Sequence, residues 1–205
     1  IPLDVAETDV DERPAFTDVV IALYLEGLPD SLDEQDGLVF ESGPLADTVI
    51  GAFALGCALG VEYPMRVHSI IGQTHEGVAD EVIAECQGSL SLHVEEAKAA
   101  AEPLEAESFI VALIDGLDGG PYTDVETAQN ALSMSFEYGC ILAFTERGAA
   151  IVVRNEYNRS QDAALEEFEE GQSEEAPEGP DPFHSLQEFA TEVMAAYEAD
   201  IGFET

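Results

Sequence analysis

Apolar residues recur along the chain in two arrangements, as short continuous runs and as longer stretches with helical spacing. The short runs are rich in branched side chains, which is typical of buried strands, and they cover residues 19–25, 66–71, 109–114 and 149–154. The longer apolar stretches predict two central helices, over residues 45–61 and 125–144. Further helical sequence covers residues 77–101, 160–170 and 183–199, and Gly88 with Ser89 is expected to interrupt the first of these.

Two segments of the first half of the chain recur in the second half in the same order. Residues 20–28 (VIALYLEGL) are echoed by residues 110–117 (IVALIDGL), and residues 53–59 (FALGCAL) by residues 136–142 (FEYGCIL). The offsets are about 90 and 83 residues, and a longer first loop accounts for the difference. Because both matches keep their order, they indicate an internal duplication.

The fold class predicted from these patterns is α+β, close to α/β proteins. It consists of two tandem β-α-β-α repeats related by a pseudo-twofold axis. Residues 1–18 are expected to form a loose acidic arm, residues 19–103 the first repeat and residues 104–205 the second, together making one compact domain. A Glu-rich segment with several glycines and prolines, residues 166–182, predicts a flexible acidic loop within the second repeat.

Each predicted central helix carries small residues at every fourth position. They are Ala52, Gly56 and Gly60 in the first helix, and Ser135, Gly139 and Ala143 in the second. On a helix this spacing makes one smooth stripe, which lets another backbone approach closely. We therefore expect both helices to be buried and to pack against each other near Gly56 and Gly139. The alternative is that each stripe lies on the predicted sheet.

The charge balance excludes several classes of partner. The 205 residues include 44 acidic and 6 basic side chains, for a formal net charge of −38. Binding to nucleic acid or to an anionic membrane surface needs a basic patch, so neither partner is expected. Hydrophobic residues make up 46% of the chain, so a core is still expected rather than disorder. Acid spread over the whole chain resembles the proteins of salt-in halophilic archaea, and the alternative is an acidic mesophilic protein.

Three features favour a cytoplasmic location. The cysteines, Cys57, Cys86 and Cys140, are odd in number, and two lie in apolar helical stretches, which is typical of reduced thiols. The first residues lack the basic and apolar regions of a signal peptide. The longest apolar run, residues 49–61, is shorter than the roughly 20 residues of a membrane span, so it is interpreted as a buried helix.

The sequence lacks the common motifs of catalytic, metal and cofactor sites. The chain has no glycine-rich phosphate or dinucleotide loop, no paired-histidine zinc motif, no Cys-x-x-Cys and no serine elbow. No cofactor and no metal are therefore predicted, and whether the protein is an enzyme is left open.

The arginines are the first candidates for a binding site because cations are so scarce. Arg147, Arg154 and Arg159 fall within 13 residues, and Arg66 lies at the corresponding strand start in the first repeat. Guanidinium groups bind carboxylates and phosphates in a fork-like geometry, so these four arginines predict an anion site. The alternative is that they form salt bridges with the many carboxylates, within a subunit or across an interface.

A second candidate site, for a proton or a metal ion, consists of His68, His75 and Glu76. These side chains would converge if the loop after the predicted strand 66–71 folds back. The alternative is one histidine in the core and one at a helix end. Arg66 and His68 are matched by Ala149 and Ile151 in the second copy, a difference that suits a single asymmetric site but that drift after duplication would also produce.

Two functions follow from these observations. The first is a non-catalytic module that acts through self-association or binding, which accounts for the duplication and the missing motifs. The alternative is a small-molecule enzyme or ligand-binding domain that takes an anionic phosphate or carboxylate metabolite into an arginine-lined pocket.

The net charge of −38 predicts that the fold depends on salt. Dialysis from concentrated KCl into dilute buffer should loosen or unfold the protein, because unscreened carboxylates repel one another over a longer distance. Circular dichroism across the dialysis measures this, and a spectrum that keeps its native form in dilute buffer would contradict the halophilic interpretation.

Overall fold

A computed structural model describes residues 44–67, 80–113, 125–171 and 185–200 of the chain. Within these ranges the backbone is helical and contains no strand. The helices are α1 (Pro44–Glu62), α2 (Asp80–Ala100), α3 (Ala106–Leu113), α4 (Val125–Thr145), α5 (Arg147–Glu169) and α6 (Leu186–Asp200). A further helical turn covers residues 64–67, directly after α1.

The α+β prediction, with its β-α-β-α repeats, is wrong, because the described residues form an all-α arrangement. Predicted strand 109–114 lies in α3 up to Leu113, predicted strand 149–154 lies inside α5, and residues 66 and 67 belong to the helical turn. Residues 19–25 and 68–71, the remaining parts of the predicted strands, lie outside the described residues. The physical reason is that a short apolar run has no periodicity that separates a strand from a buried helix.

Helix α5 shows how the misassignment arose. Its buried residues are Ala149, Ala150, Val153 and Tyr157, which follow one another at the spacing of a helix face. Val152 is 41% exposed although it lies inside the apolar run. A buried strand would bury alternate residues or all of them, so burial follows the helical period.

Helix α1 is the central element of the structure. Every residue from 51 to 60 is buried, and α1 contacts α3, α4, α5 and α6. A helix that is apolar or small on all sides has no face suited to water, so it is stable only when surrounded by other helices. The predicted burial of this segment is confirmed. None of the helices described has the length and apolarity needed to cross a membrane.

Helices α1 and α4 meet at the predicted pair of glycines, Gly56 and Gly139. A Cβ atom added to Gly56 would overlap the carbonyl oxygen of Phe136 and lie 3.0 Å from the amide nitrogen of Cys140. A Cβ atom added to Gly139 would overlap the carbonyl oxygen of Phe53 and lie 2.9 Å from the amide nitrogen of Cys57. The two sets of contacts are reciprocal at an offset of 83 residues. The predicted packing of these helices is therefore confirmed, and the alternative of a stripe on a sheet does not apply.

The other small residues of the two stripes extend the same interface. A Cβ atom added to Gly60 would lie 2.5 Å from the Cβ atom of Ala143. On the other side of the glycines, the buried Ser135 hydroxyl donates a hydrogen bond of 2.7 Å to the carbonyl oxygen of Val49. This bond satisfies a fully buried hydroxyl, and it ties the Ser135 side chain of α4 to the backbone of α1.

The predicted helix ends agree with the structure for the two central helices, but the predicted break at Gly88 does not. The predicted helices 45–61 and 125–144 match α1 and α4 within one residue at each end. Helix α2 runs through Gly88 without a break, so the predicted interruption is wrong. A single exposed glycine lowers helix stability by only about 1 kcal/mol relative to alanine, and Leu90, Val94 and Ala97 anchor α2 in the core.

The predicted domain bounds are only partly covered by the described residues. Helix α5 continues to Glu169, into the first residues of the predicted loop 166–182. Residues 172–182 and the predicted arm 1–18 lie outside the described residues. The division into 19–103 and 104–205 stays a prediction.

Helix α6 is fixed at its first turn by a reciprocal cap. The backbone nitrogen of Ser185 donates to a carboxylate oxygen of Glu188 at 2.9 Å, and the backbone nitrogen of Glu188 donates to the Ser185 hydroxyl at 3.4 Å. Asn158 of α5 also accepts a bond of 3.1 Å from the backbone nitrogen of Leu186. The start of α6 is thereby attached to α5.

Alanine substitutions at Gly56 and Gly139 should each lower the free energy of unfolding by about 2–3 kcal/mol or more. The added methyl group would meet the backbone of the facing helix, which cannot turn aside as a flexible side chain can. Urea unfolding of the purified variants measures the loss.

The matched control is Gly88→Ala on α2, where nothing lies within 4 Å of an added Cβ atom. This substitution should raise the free energy of unfolding by about 0.5–1 kcal/mol, because alanine is the better helix former. The Gly56→Ala/Gly139→Ala double variant should lose less than the sum of the single losses, since one methyl group already separates the helices. Full additivity would contradict a shared contact.

Candidate functional site

Two of the four candidate arginines hold the C-terminal end of α1. Arg147 is the first residue of α5, and its Nη2 donates a hydrogen bond of 2.8 Å to the carbonyl oxygen of Val61. Arg154, two turns further along α5, forms a salt bridge of 2.7 Å with Glu62. The C-terminal end of a helix carries partial negative charge and unsatisfied carbonyls, so both guanidinium groups stabilise α1 where they stand.

The other two candidate arginines have partners elsewhere. Arg66, in the helical turn after α1, forms a salt bridge of 2.9 Å with Glu198 of α6. Arg159 forms a salt bridge of 2.6 Å with Glu156, one turn earlier on α5. The four guanidinium groups thus engage four different acceptors. Their contacts follow the salt-bridge alternative more closely than one convergent anion site.

The proposed proton or metal site at His68, His75 and Glu76 lies outside the described residues. Within the residues that the structure does describe, no group of three or more His, Cys, Asp or Glu side chains is placed to hold a metal ion.

Cys57 and Cys140 lie at the crossing of α1 and α4 and are fully buried. Burial raises the pKa of both thiols well above their usual value, and for Cys140 the nearby Cys57 raises it further. Both side chains are therefore neutral near pH 7 and poor nucleophiles. Cys86 on α2 is half-buried, and burial also raises the pKa of its thiol, against a hydrogen bond with Tyr138 that lowers it. All three cysteines are free thiols, and the two in the apolar helical stretches, Cys57 and Cys140, lie in the core.

His93 and Ser108 form a contact that sequence reasoning did not single out. The His93 Nε2 lies 3.3 Å from the Ser108 hydroxyl oxygen, and that hydroxyl donates a hydrogen bond of 2.8 Å to the carbonyl of Glu105. With the hydroxyl proton directed to the Glu105 carbonyl, the Nε2-protonated tautomer of His93 is the one that hydrogen-bonds to Ser108. A base that activates a serine would have to accept this proton instead.

The surroundings of His93 give it a structural role. Its ring packs edge-on against Phe109 of α3, with the ring centroids 4.6 Å apart, and Phe109 in turn stacks on Phe53 of α1 at 5.3 Å. The contacts of His93 thus join α2 to α3, and through the Phe109 ring to the central helix.

A cleft of about 480 Å³ lies beside α5, where α5 faces the start of α3 and one residue of α1. Its described walls comprise Ile50, Glu105, Ala106, Glu107, Glu156, Tyr157, Arg159, Ser160, Gln161 and Ala163. The lining combines apolar surface with several polar groups, and the volume falls within the range of about 300–1,000 Å³ typical of ligand sites.

The polar groups of the cleft differ in how well they are satisfied. The Ser160 hydroxyl donates to the carbonyl of Tyr157 at 2.8 Å, and Arg159 is paired with Glu156. The Gln161 side-chain oxygen is fully buried and has no hydrogen-bond partner. A buried acceptor without a donor is unfavourable by about 1–3 kcal/mol. Because this oxygen has no accessible surface, a ligand in the cleft does not reach it.

The sequence pointed to only part of this cleft. Arg159 was singled out because it is a rare cation, and it does line the cleft, but Glu105, Glu107 and Gln161 were missed. Glutamates are so common in this chain that their identity carried no signal. Their convergence depends on the packing of α3 against α5, which the strand assignment did not anticipate.

Comparisons of the chain with protein-family models, curated proteins and solved structures find no match.

The buried thiols predict a loss of stability at alkaline pH. Below the usual pKa of 9.0 both the folded and the unfolded states keep these thiols protonated, so they cause no pH dependence. Above it the unfolded state releases protons that the folded state holds. Between about pH 8 and about pH 10 the free energy of unfolding should therefore fall by about 1.4 kcal/mol per thiol.

Urea unfolding at several pH values measures this fall, with Cys57→Ala and Cys140→Ala as comparison variants. Each variant should lose less stability between the two pH values than the wild type, whatever its own starting stability. Identical falls in the wild type and both variants would show that other groups control the alkaline transition.

Proposed function

We propose that this protein is a non-catalytic binding module that takes a small molecule into the cleft between α3 and α5. The observation that carries the proposal is the cleft itself, which has the volume of a ligand site and a lining that combines apolar surface with polar groups. A cavity of this kind is suited to a ligand that brings both apolar and polar contacts.

The chemistry of the described nucleophiles favours binding over catalysis. The thiols of Cys57 and Cys140 are buried and neutral at the helix crossing, away from solvent. The Ser108 hydroxyl gives its proton to a backbone carbonyl. A nucleophile needs access to substrate and a base that accepts its proton. The two buried thiols lack the access, and the Ser108 hydroxyl directs its proton to a carbonyl rather than to a base.

The composition supports a salt-rich cellular environment for this protein. A net charge of −38 spread over the chain favours a protein of a salt-rich, halophilic cytoplasm. Self-association is a second candidate role. It is favoured by Met65, which is 81% exposed directly after the central helix, and by exposed apolar side chains at Leu92, Met134 and Val152.

A variant that fills the cleft tests the binding proposal without presuming a ligand. Ala163 is an exposed alanine in the cleft wall, so Ala163→Trp should place an indole in the cleft while leaving the core intact. We expect a ligand-observed NMR screen of a diverse fragment set, run in concentrated KCl, to give hits with the wild type. Those hits should lose their saturation transfer in Ala163→Trp.

The matched control is Ala99→Trp, which adds the same side chain at an exposed position of α2 that is not among the cleft residues. The control should keep the wild-type hits. If no fragment binds the folded wild type, or if the hits are unchanged in Ala163→Trp, the proposed function is wrong.

A further inference from the structure

We infer that two copies of this chain exchange their halves through the loop between α2 and α3 and so form a domain-swapped dimer. The first half contains α1 and α2, the second half contains α3 to α6, and residues 101–105 form the hinge loop between them. The inference does not depend on the cleft. It states how the second candidate role, self-association, is achieved.

The described helices of the first half are held by the second half rather than by each other. Helix α1 packs against α3, α4, α5 and α6, and α2 packs against α3 and α4, whereas α1 and α2 have no extensive contact with each other. Two bonds to the backbone of α1 cross the same boundary, from the Ser135 hydroxyl to Val49 and from Arg147 to Val61. The second half of another copy offers the same side chains, so it binds the first half through the same contacts.

Helices α2 and α3 contact each other across the hinge loop. The His93 Nε2 lies 3.3 Å from the Ser108 hydroxyl oxygen, and the His93 ring packs edge-on against Phe109. Because these residues lie on either side of the hinge loop, one chain makes both contacts only if it turns back within residues 101–105. When the loop opens, α2 of one copy meets α3 of the other, and the same contacts form between the chains.

The turn in the hinge loop depends on one unfavourable backbone conformation. Ala101 has a φ of +58°, in the left-handed region. It follows α2 in a Schellman motif, in which the backbone nitrogen of Glu102 donates to the carbonyl of Ala97 at 2.9 Å. The backbone nitrogen of Ala101 donates to the carbonyl of Lys98 at 3.3 Å. Glycine is the usual residue at this position, because a Cβ atom makes the left-handed conformation unfavourable.

The local sequence favours an open hinge loop. Residues 98–102 read KAAAE, and alanine is the strongest helix former, so α2 is stabilised if it continues through Ala101 with an ordinary helical φ. Pro103 then ends the helix, because a proline disfavours the helical conformation of the residue before it. The local preference thus conflicts with the closed turn, and a short hinge loop under strain favours exchange between copies.

Refolding at low and at high protein concentration tests the inference. The full chain is unfolded in urea and refolded in concentrated KCl, and size-exclusion chromatography with light scattering measures the products. Low concentration should give the monomer, and high concentration should give a dimer, because another copy then competes with closure of the same chain. The isolated dimer should persist on dilution without urea, since its reversal requires the tightly packed α1 and α4 to separate.

Substitutions at Ala101 show whether the hinge loop controls the dimer. Ala101→Gly should raise the dissociation constant of the dimer at least about tenfold, because glycine removes the strain from the two closed monomers that a dimer replaces. Ala101→Val should shift the equilibrium in the opposite direction, since a branched side chain resists the left-handed conformation more strongly.

The matched controls are Ala99→Gly and Ala99→Val, at an exposed position of α2 with an ordinary helical backbone. Both controls should leave the dissociation constant of the dimer unchanged, although they alter helix propensity in the same way as the substitutions at Ala101. Equal shifts at the two positions would overturn the inference, because they would show that helix propensity rather than the turn controls association.

Two further outcomes would overturn the inference. One is a monomer at every concentration for both the wild type and Ala101→Val. The other is a dimer that dissociates at once on dilution, because such a dimer is held by surface contacts and leaves the hinge loops closed. Neither outcome affects the proposed function, which the fragment screen with Ala163→Trp decides separately.

Discussion

The contact between the backbones of α1 and α4 is the constraint on which the rest of the structure depends. Because Gly56 and Gly139 each face the backbone of the other helix, the two axes approach more closely than side chains would allow. Phe53, Phe136 and the two buried cysteines belong to the same core cluster around this crossing. It also makes α1 inaccessible to water over residues 51–60, so α3, α5 and α6 complete its enclosure.

The scarce arginines complete this arrangement at the end of α1. A buried helix needs its last carbonyls satisfied, and the acidic surface supplies acceptors but few donors. Arg147 supplies such a donor to the Val61 carbonyl, Arg154 pairs with the Glu62 side chain, and Arg66 attaches the following turn to α6. In a chain with six basic residues, three are thus used within the structure around one helix end. Each of these contacts needs a positively charged donor, which an ionised acidic side chain cannot provide.

The sequence patterns predicted the two central helices and their contact at small residues. They failed for the short apolar runs, where the tertiary environment decides between strand and helix. The small residues around Gly56 and Gly139 carried a geometric meaning of their own, because a smooth stripe lets another backbone approach closely. The run at 149–154 carried none, since branched residues fit a strand and a buried helix face equally well. For the cleft, the rarity of cations drew attention to Arg159 but not to Glu105, Glu107 or Gln161. One glutamate among many has no special pattern until packing places it in a cleft wall.

The charge of the chain therefore has two different consequences. Over the surface it acts collectively, and salt screens it, so it says little about partners. At the end of α1 it acts locally, because Arg147, Arg154 and Arg66 each contact a single acceptor there, and charges in direct contact are screened less than charges further apart. An acidic chain with few cations therefore places three of them where this helix end meets its neighbours.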